Sequence, residues 1–191
     1  MFNKNQVVAV VMGGPSAERE VSLNTGAAIA NALREYGYTN VVEIDLDPRN
    51  FGKQLAESKA EVVFNAVHGL YGEDGRLQTL LEIREMPYTG SGMIASVSCM
   101  DKVITKRMLR DAGISTPACL IVNKKESGIK EKIMQRFSLP VVIKPASQVP
   151  ASAWKLLKKK ISLMKRLQTL LNTPAIFWWK NLSAARNLPF P

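Results

Sequence analysis

Runs of apolar residues alternate with amphipathic segments along the first hundred positions of the chain. The β-branched run at 7–12 ends in two glycines, which is typical of a strand buried on both faces. The alternation predicts strands at Val7–Met12, Val41–Ile44 and Glu61–Val67, and helices at Arg19–Tyr36, Phe51–Glu57 and Glu73–Glu85. Strands and helices at such short spacings predict an α/β fold, with a Rossmann-like parallel sheet covered by helices on both faces.

The pattern changes after residue 92, and we place a domain boundary near residue 100. The second stretch is predicted to contain helices at Asp101–Ala112 and Lys130–Phe137, and strands at Ala118–Val122 and Pro140–Pro145. We therefore expect one domain at 1–100 and a second, smaller unit at 101–148.

Two loops of the predicted sheet carry candidate chemistry, because ligands of parallel sheets bind where the strands end. The first, at 13–16, leads into a helix with Glu18 at its start, where backbone N–H groups can meet an anion. An acid at that position is more often only a partner of the helix dipole. The second loop, at 68–75, contains His68, the single histidine. A lone histidine is more often structural, although a glycine-rich loop after a buried strand favours function.

The composition of the chain changes abruptly at Gln148. The formal net charge is +10, but residues 149–191 contain no acidic residue, eight basic residues and all three tryptophans. The first 148 residues therefore carry a charge of only +2, and the high basicity is no argument for nucleic-acid binding by that part. Cys99 and Cys119 form no CxxC pair, and the first apolar run is too short for a signal or membrane segment. We expect a cytoplasmic protein with no nucleic-acid or membrane partner.

Five motifs occur in order over residues 6–148. They are Gly13–Leu23, Val67–Gln78, Pro87–Gly92, Met100–Lys102 and Pro140–Pro145. Together they resemble the D-alanine–D-alanine ligases of the ATP-grasp superfamily. The resemblance implies a pre-ATP-grasp domain followed by a truncated α+β ATP-grasp subdomain. It also implies ATP-dependent joining of two D-alanines for peptidoglycan synthesis, with Mg²⁺ as cofactor, in a homodimer.

The same resemblance assigns roles to four residues of this chain. Glu18 would receive the ammonium of the first D-alanine, and His68 would help to place that substrate. Lys102 and Lys144 would bind ATP phosphates, although a lysine at the end of an apolar strand is also typical of a snorkelling surface residue. These residue types suit the implied roles, since a carboxylate pairs with an ammonium group and lysines neutralise the charge of phosphates.

The resemblance stops at Gln148, where the family continues with a Gly-Ser-Ser-x-Gly loop and this chain has Val149–Trp154. Restoring one base in a back-translation of this region recovers such a loop. In the same shifted frame, Phe177–Asn181 reads Leu-Val-Glu followed by Glu or Lys. We therefore interpret 149–191 as an out-of-frame, poorly folded tail. The chain would then lack the magnesium ligands and a complete catalytic set, and we expect it to be inactive.

An alternative interpretation treats the tail as functional. Apolar residues recur at helical spacing through 153–171 beside clustered lysines, which would suit a basic amphipathic helix on an acidic membrane or partner. A third possibility is an ATP- or D-alanine-binding module without catalysis.

Overall fold

The computed structural model describes residues 3–123, 126–137, 141–147, 155–157 and 175–180. The chain folds into two compact units, Met1–Met100 and Asp101–Pro191. Within the described residues, none of the helices is long and apolar enough to span a bilayer.

The first unit is a parallel sheet with helices. Its elements are β1 (Val7–Met12), α1 (Arg19–Glu35), β2 (Asn40–Asp45), α2 (Phe51–Ser58), β3 (Val62–Asn65), α3 (Arg76–Glu82) and α4 (Met93–Met100). The strand order is β2-β1-β3, and both pairings of β1 are parallel. The α/β architecture predicted from the alternation of apolar runs is confirmed.

The central strand β1 is buried on both faces, as its continuous apolar sequence predicts. Ala9 and Val11 belong to a core with residues of α2, α3 and β3, whereas Val10 and Met12 pack with Ala30 of α1 on the other side. Helix α1 approaches β1 so closely at Gly26 that a Cβ there would lie 2.5 Å from the Met12 Cβ. This packing fixes the start of α1 next to the end of β1.

The structure differs from the predicted elements at two places, one before α3 and one after it. The predicted helix at Glu73–Glu85 begins only at Arg76, because the Asp74 carboxylate accepts hydrogen bonds from the Tyr71 and Arg76 backbone N–H groups and holds 71–76 as a turn. Helix α4 was not predicted. Its sequence of small and apolar residues has no polar face, so it shows no helical periodicity.

The second unit contains an antiparallel sheet. Its elements are α5 (Lys102–Asp111), β4 (Cys119–Asn123), α6 (Ile129–Arg136), β5 (Val141–Pro145), β6 (Lys155–Leu157) and β7 (Ala175–Lys180). The strand order is β4-β7-β5-β6, with β7 antiparallel to both β4 and β5.

Strands β6 and β7 lie in the part of the chain that was expected to be poorly folded. That expectation is wrong for these nine residues, and a helix through 153–171 is likewise wrong at Lys155–Leu157. The sequence Ala-Ile-Phe-Trp-Trp-Lys of β7 is rich in strand-forming residues, and pairing on both sides satisfies its backbone groups. The remainder of 149–191 lies outside the described residues.

Candidate functional site

Glu18 and His68 lie together at the carboxyl end of the first sheet. Glu18 follows the loop after β1 and His68 follows β3, and these two strands are neighbours. Glu73, from the same loop as His68, completes the group. One ligand atom from each of the three side chains lies within 4.8 Å of the other two. The topology thus creates a cluster of two carboxylates and an imidazole from two separate loops.

A serine hydroxyl connects the two loops. Ser16 Oγ donates a hydrogen bond of 2.8 Å to the His68 carbonyl oxygen and accepts one of 3.0 Å from the Glu18 backbone N–H. The Ser16 hydroxyl therefore links the backbone at Glu18 to the backbone at His68. Ser16 therefore helps to position both of them.

The imidazole of His68 is held between Thr25 and Glu73. Its Nε2 lies 3.2 Å from Thr25 Oγ1, and its Nδ1 lies 3.7 Å from Glu73 Oε1. About a third of the His68 side chain is exposed, and half of the Glu73 side chain is exposed. Thr25 of α1 therefore contacts the cluster on one side, and the other side of the cluster is open to solvent.

Ser22 ties α1 to the ends of β1 and β3. Its fully buried hydroxyl accepts from the Gly13 N–H at 2.8 Å and donates to the Ala66 carbonyl at 2.8 Å. Both backbone groups would lose their partner without this hydroxyl. The buried Ser22 hydroxyl therefore connects α1 to the ends of the two strands that precede the cluster residues.

We predict that Ser22→Ala lowers the free energy of unfolding by about 1–3 kcal/mol, the usual cost of leaving buried polar groups unpaired. Urea denaturation checks this value. Ser115→Ala is the matched control, because Ser115 is exposed. Equal stability of the two variants would show that the Ser22 bridge contributes little.

A cavity of about 540 Å³ opens beside the cluster, within the first unit. His68 and Glu73 line it together with parts of α1, β3 and α4. Gln78, only 3% exposed, also lines it. The Gln78 Nε2 donates to the Gly72 carbonyl at 2.7 Å, but its Oε1 has no hydrogen-bond partner among the described residues. A buried acceptor without a partner is costly to the stability of the fold.

The loop at 87–92 forms another wall of this cavity and is anchored by Glu82. The Glu82 Oε1 accepts from the Tyr88 hydroxyl at 2.6 Å and from the Met93 N–H at 2.9 Å. Burial, followed by the bond to Glu82, raises the pKa of Tyr88 to about 12. Tyr88 therefore stays protonated and keeps donating at physiological pH.

Arg19 and Asp45 form an ion pair next to the glycine loop at 13–16. Arg19 contacts both carboxylate oxygens of Asp45, at 2.7 and 2.5 Å, and Asp45 also accepts from the Gly14 N–H. The hydrogen bond from Arg19 is the main cause that holds the pKa of Asp45 below its ordinary value. This pair fixes the glycine turn and does not belong to the cluster.

The two predicted ATP-binding lysines belong to the second unit. Asp101 caps α5 by accepting from the Val103 and Ile104 N–H groups, and the Lys102 N–H donates to the Ala146 carbonyl at 2.9 Å. Burial first, and then the positive charge of Lys144, lower the pKa of Lys102. A pair of mutually repelling ammonium groups near a helix start favours a bound anion.

Sequence reasoning missed several residues that the structure brings into the first site. Glu73 was assigned to a helix, whereas Thr25, Ser16 and Gln78 carried no signal of their own. Glu73 and Gln78 do lie in the second glycine-rich motif, so the motif itself was the available signal. The roles assigned to Glu18, His68, Lys102 and Lys144 stay predictions.

Comparisons with known proteins agree with this architecture. A family model described as the D-ala D-ala ligase N-terminus matches residues 47–91. The D-alanine–D-alanine ligase of Moorella thermoacetica is 49% identical over 148 residues, which is 74% of this chain and 47% of the relative. The N-terminal part of this chain belongs to the D-alanine–D-alanine ligase family. The chain spans about half the length of the curated relatives it matches.

The similarity to this ligase family also extends beyond the N-terminal part. The Carboxydothermus hydrogenoformans ligase is 43% identical over 168 residues, covering 86% of this chain and 53% of the relative. A match of that coverage continues past Gln148. In structure, the Bacillus anthracis ligase complexed with ATP matches 93% of this chain and 59% of its own, with a TM-score of 0.80 at 32% identity. The fold of this ligase family is therefore shared over most of the chain.

Proposed function

We propose that residues 1–148 supply the first D-alanine site and part of the ATP site of an ATP-dependent D-alanine–D-alanine ligase acting in peptidoglycan synthesis in the cytoplasm. The observation that carries this proposal is the cluster of Glu18, His68 and Glu73 at the strand ends, beside a cavity of suitable size for a small amino acid. Family membership supplies the reaction, and the cluster supplies a place for its substrate.

The cluster suits an amino acid that binds through its ammonium group. Glu18 and Glu73 offer two carboxylates, which pair with an ammonium by charge-assisted hydrogen bonds. The contact of His68 with Thr25 orients the imidazole, which would help to orient the substrate. Holding the reacting carboxyl group in one place contributes to the rate by removing translational and rotational freedom before the reaction.

The lysine pair suits the phosphates of ATP. Lys102 and Lys144 repel each other, so a polyphosphate between or beside them would relieve that repulsion. Phosphoryl transfer from ATP to the carboxylate of the first D-alanine would activate it, and the amine of the second D-alanine would displace the phosphate to form the amide bond.

Magnesium does not fit the described part of the second unit. Mg²⁺ prefers oxygen ligands, chiefly carboxylates together with phosphates and water. Among the described residues, the one group of His, Cys, Asp or Glu side chains that could hold a metal is the cluster of the first unit. The described residues of the second unit therefore form no magnesium site, although the family resemblance implies Mg²⁺ as the cofactor.

A hybrid protein tests the proposed function. Residues 1–148 of this chain would be joined to the segment of the Moorella thermoacetica ligase that follows its matched region. We expect the hybrid to form D-alanyl-D-alanine with ADP release. We expect none from the 191-residue chain, in which Val149–Trp154 replaces the glycine loop.

The control for the hybrid is the intact Moorella thermoacetica enzyme. A folded hybrid that binds ATP but forms no dipeptide would contradict the proposal. D-alanine-dependent ADP release from the 191-residue chain would contradict the expectation of inactivity. Sedimentation of the hybrid would also test the homodimer that the family resemblance implies.

A further inference from the structure

We infer that Thr25 is a positioning residue that keeps the hydrogen of the neutral His68 imidazole on Nε2 and leaves Nδ1 as a hydrogen-bond acceptor. The Nδ1 lone pair would then meet the ammonium group of the first D-alanine, between His68 and Glu73. This consequence for the substrate rests on the proposed function, whereas the location of the hydrogen rests on the hydrogen bonds of Thr25 alone.

The Thr25 hydroxyl has one proton, and that proton is already used within α1. Oγ1 donates to the Val21 carbonyl oxygen at 2.8 Å and lies 3.2 Å from His68 Nε2. Because the shorter bond takes the proton, Oγ1 can offer only a lone pair to the imidazole, which requires a hydrogen on Nε2. A neutral imidazole carries a single N–H, so Nδ1 is then an acceptor.

The packing of α1 fixes the position of the Thr25 hydroxyl. Gly26, the next residue, lies so close to β1 that a Cβ there would meet the Met12 Cβ at 2.5 Å. Ser22, one turn earlier, is hydrogen-bonded to the backbone at the ends of β1 and β3. Rotation of α1 would break these contacts, so the Thr25 oxygen stays opposite Nε2.

Glu73 acts on the other nitrogen in the opposite direction. Its Oε1 lies 3.7 Å from Nδ1, beyond hydrogen-bond distance, but a hydrogen on Nδ1 would be attracted to this carboxylate. Without the Thr25 hydroxyl, the neutral ring would gain by carrying its hydrogen on Nδ1, which could then no longer accept. The choice exists only in the neutral ring, since both nitrogens of an imidazolium carry hydrogen. Thr25 therefore decides between two forms of the neutral side chain.

An ammonium group suits the form in which Nδ1 is an acceptor. Thr25, His68 and Glu73 line the same cavity, so a small amino acid can reach them. Two acceptors about 2.8 Å from one tetrahedral ammonium nitrogen lie roughly 4.6 Å apart. A small outward movement of the half-exposed Glu73 side chain would therefore admit the ammonium between Nδ1 and Oε1. With hydrogen on Nδ1, the ammonium would lose one of these two acceptors.

The hydroxyl of Thr25 contributes little to the stability of α1. Threonine has a lower helix propensity than alanine, and a hydroxyl that bonds the carbonyl four residues back slightly destabilises a helix. Without the hydroxyl, the Val21 carbonyl keeps the N–H of residue 25 as its helical partner. Thr25→Val, which has nearly the same shape, should therefore keep the fold and lose only the acceptor for Nε2–H.

Nitrogen NMR of the 191-residue chain tests the inference at a pH above about 8, where histidine side chains are neutral. His68 is the single histidine, so its two ring nitrogens report the tautomer directly. We expect the Nε2–H tautomer in the unaltered chain and in Thr25→Ser, which keeps the hydroxyl, and a shift towards Nδ1–H in Thr25→Val. Thr79→Val is the matched control, because Thr79 Oγ1 makes the same type of bond in α3, to the Gly75 carbonyl at 2.7 Å.

Titration of the same samples with D-alanine measures the consequence for the substrate. Thr25→Val should weaken D-alanine binding by about 2- to 12-fold, the effect of one hydrogen bond, and Thr25→Ser should not. The inference would be overturned by an Nδ1–H tautomer in the unaltered chain, by an unchanged tautomer in Thr25→Val, or by a changed tautomer with undiminished D-alanine binding. An unaltered chain that binds no D-alanine would instead contradict the proposed function, and the tautomers alone would then decide the role of Thr25.

Discussion

Gly72→Ala is expected to displace the loop at 68–75 and to lower the free energy of unfolding strongly. A Cβ at this position would lie 1.9 Å from the Val67 carbonyl oxygen and 2.5 Å from its carbonyl carbon. Both atoms belong to the backbone at the end of β3, so neither can rotate away. The loop itself has to move.

The same movement would break two hydrogen bonds. The Gly72 carbonyl accepts from Asn65 Nδ2 at 2.8 Å and from Gln78 Nε2 at 2.7 Å. Overpacking typically costs about 1–3 kcal/mol, and each lost hydrogen bond adds about 1 kcal/mol. We expect the total loss in urea denaturation to be at or above the upper end of the overpacking range.

A second glycine of the same unit provides the control for Gly72→Ala. A Cβ at Gly92 would meet its nearest neighbour, Glu82 Oε1, at the ordinary distance of 3.6 Å. Gly92→Ala should therefore change the stability little and leave the imidazole resonances of His68 unchanged. Equal effects of the two substitutions would show that the loop tolerates a side chain at Gly72.

Glu18→Gln has the largest expected effect on substrate use. Glutamine keeps the shape and the backbone bond to Ser16 but removes the negative charge that would meet the ammonium of the first D-alanine. A hydrogen bond to a charged group is worth about 1.5–3 kcal/mol, which is roughly 10- to 150-fold in affinity. In the hybrid ligase, we expect kcat/KM for D-alanine to fall by such a factor.

Glu20→Gln is the matched control for that measurement, since Glu20 lies on the same helical turn and outside the cluster. The KM for ATP should be unchanged in both variants, because Glu18 belongs to the first unit and the lysine pair to the second. A Glu18→Gln hybrid with unaltered kinetics for D-alanine would contradict the role assigned to Glu18.

The parallel sheet could be predicted because its signal is local. The predicted bounds of β1 match the structure, since an uninterrupted β-branched run that ends in two glycines is typical of a buried strand. The encounter of Glu18 with His68 was also predictable in outline, because the carboxyl ends of neighbouring parallel strands meet at one edge of the sheet. The motif resemblance pointed to the same two residues.

The contacts that complete the site were not predictable, because they depend on long-range packing. Thr25 reaches His68 only after α1 has packed on β1, and the side chain of Gln78 becomes buried only in the folded unit. The strand at Ala175–Lys180 was missed for another reason. The prediction for this segment was based on its composition and reading frame. The strand-forming residues of Ala175–Lys180 were therefore not used to predict a strand.

The central claim is that the cluster of Glu18, His68 and Glu73 binds D-alanine, and titration of the 191-residue chain followed by NMR of the single histidine tests it most directly. We predict a saturable shift of the His68 imidazole resonances with D-alanine, a much weaker response with L-alanine, and loss of the response in Glu18→Gln. Resonances that do not move with D-alanine, or that move equally in Glu18→Gln, would contradict the account.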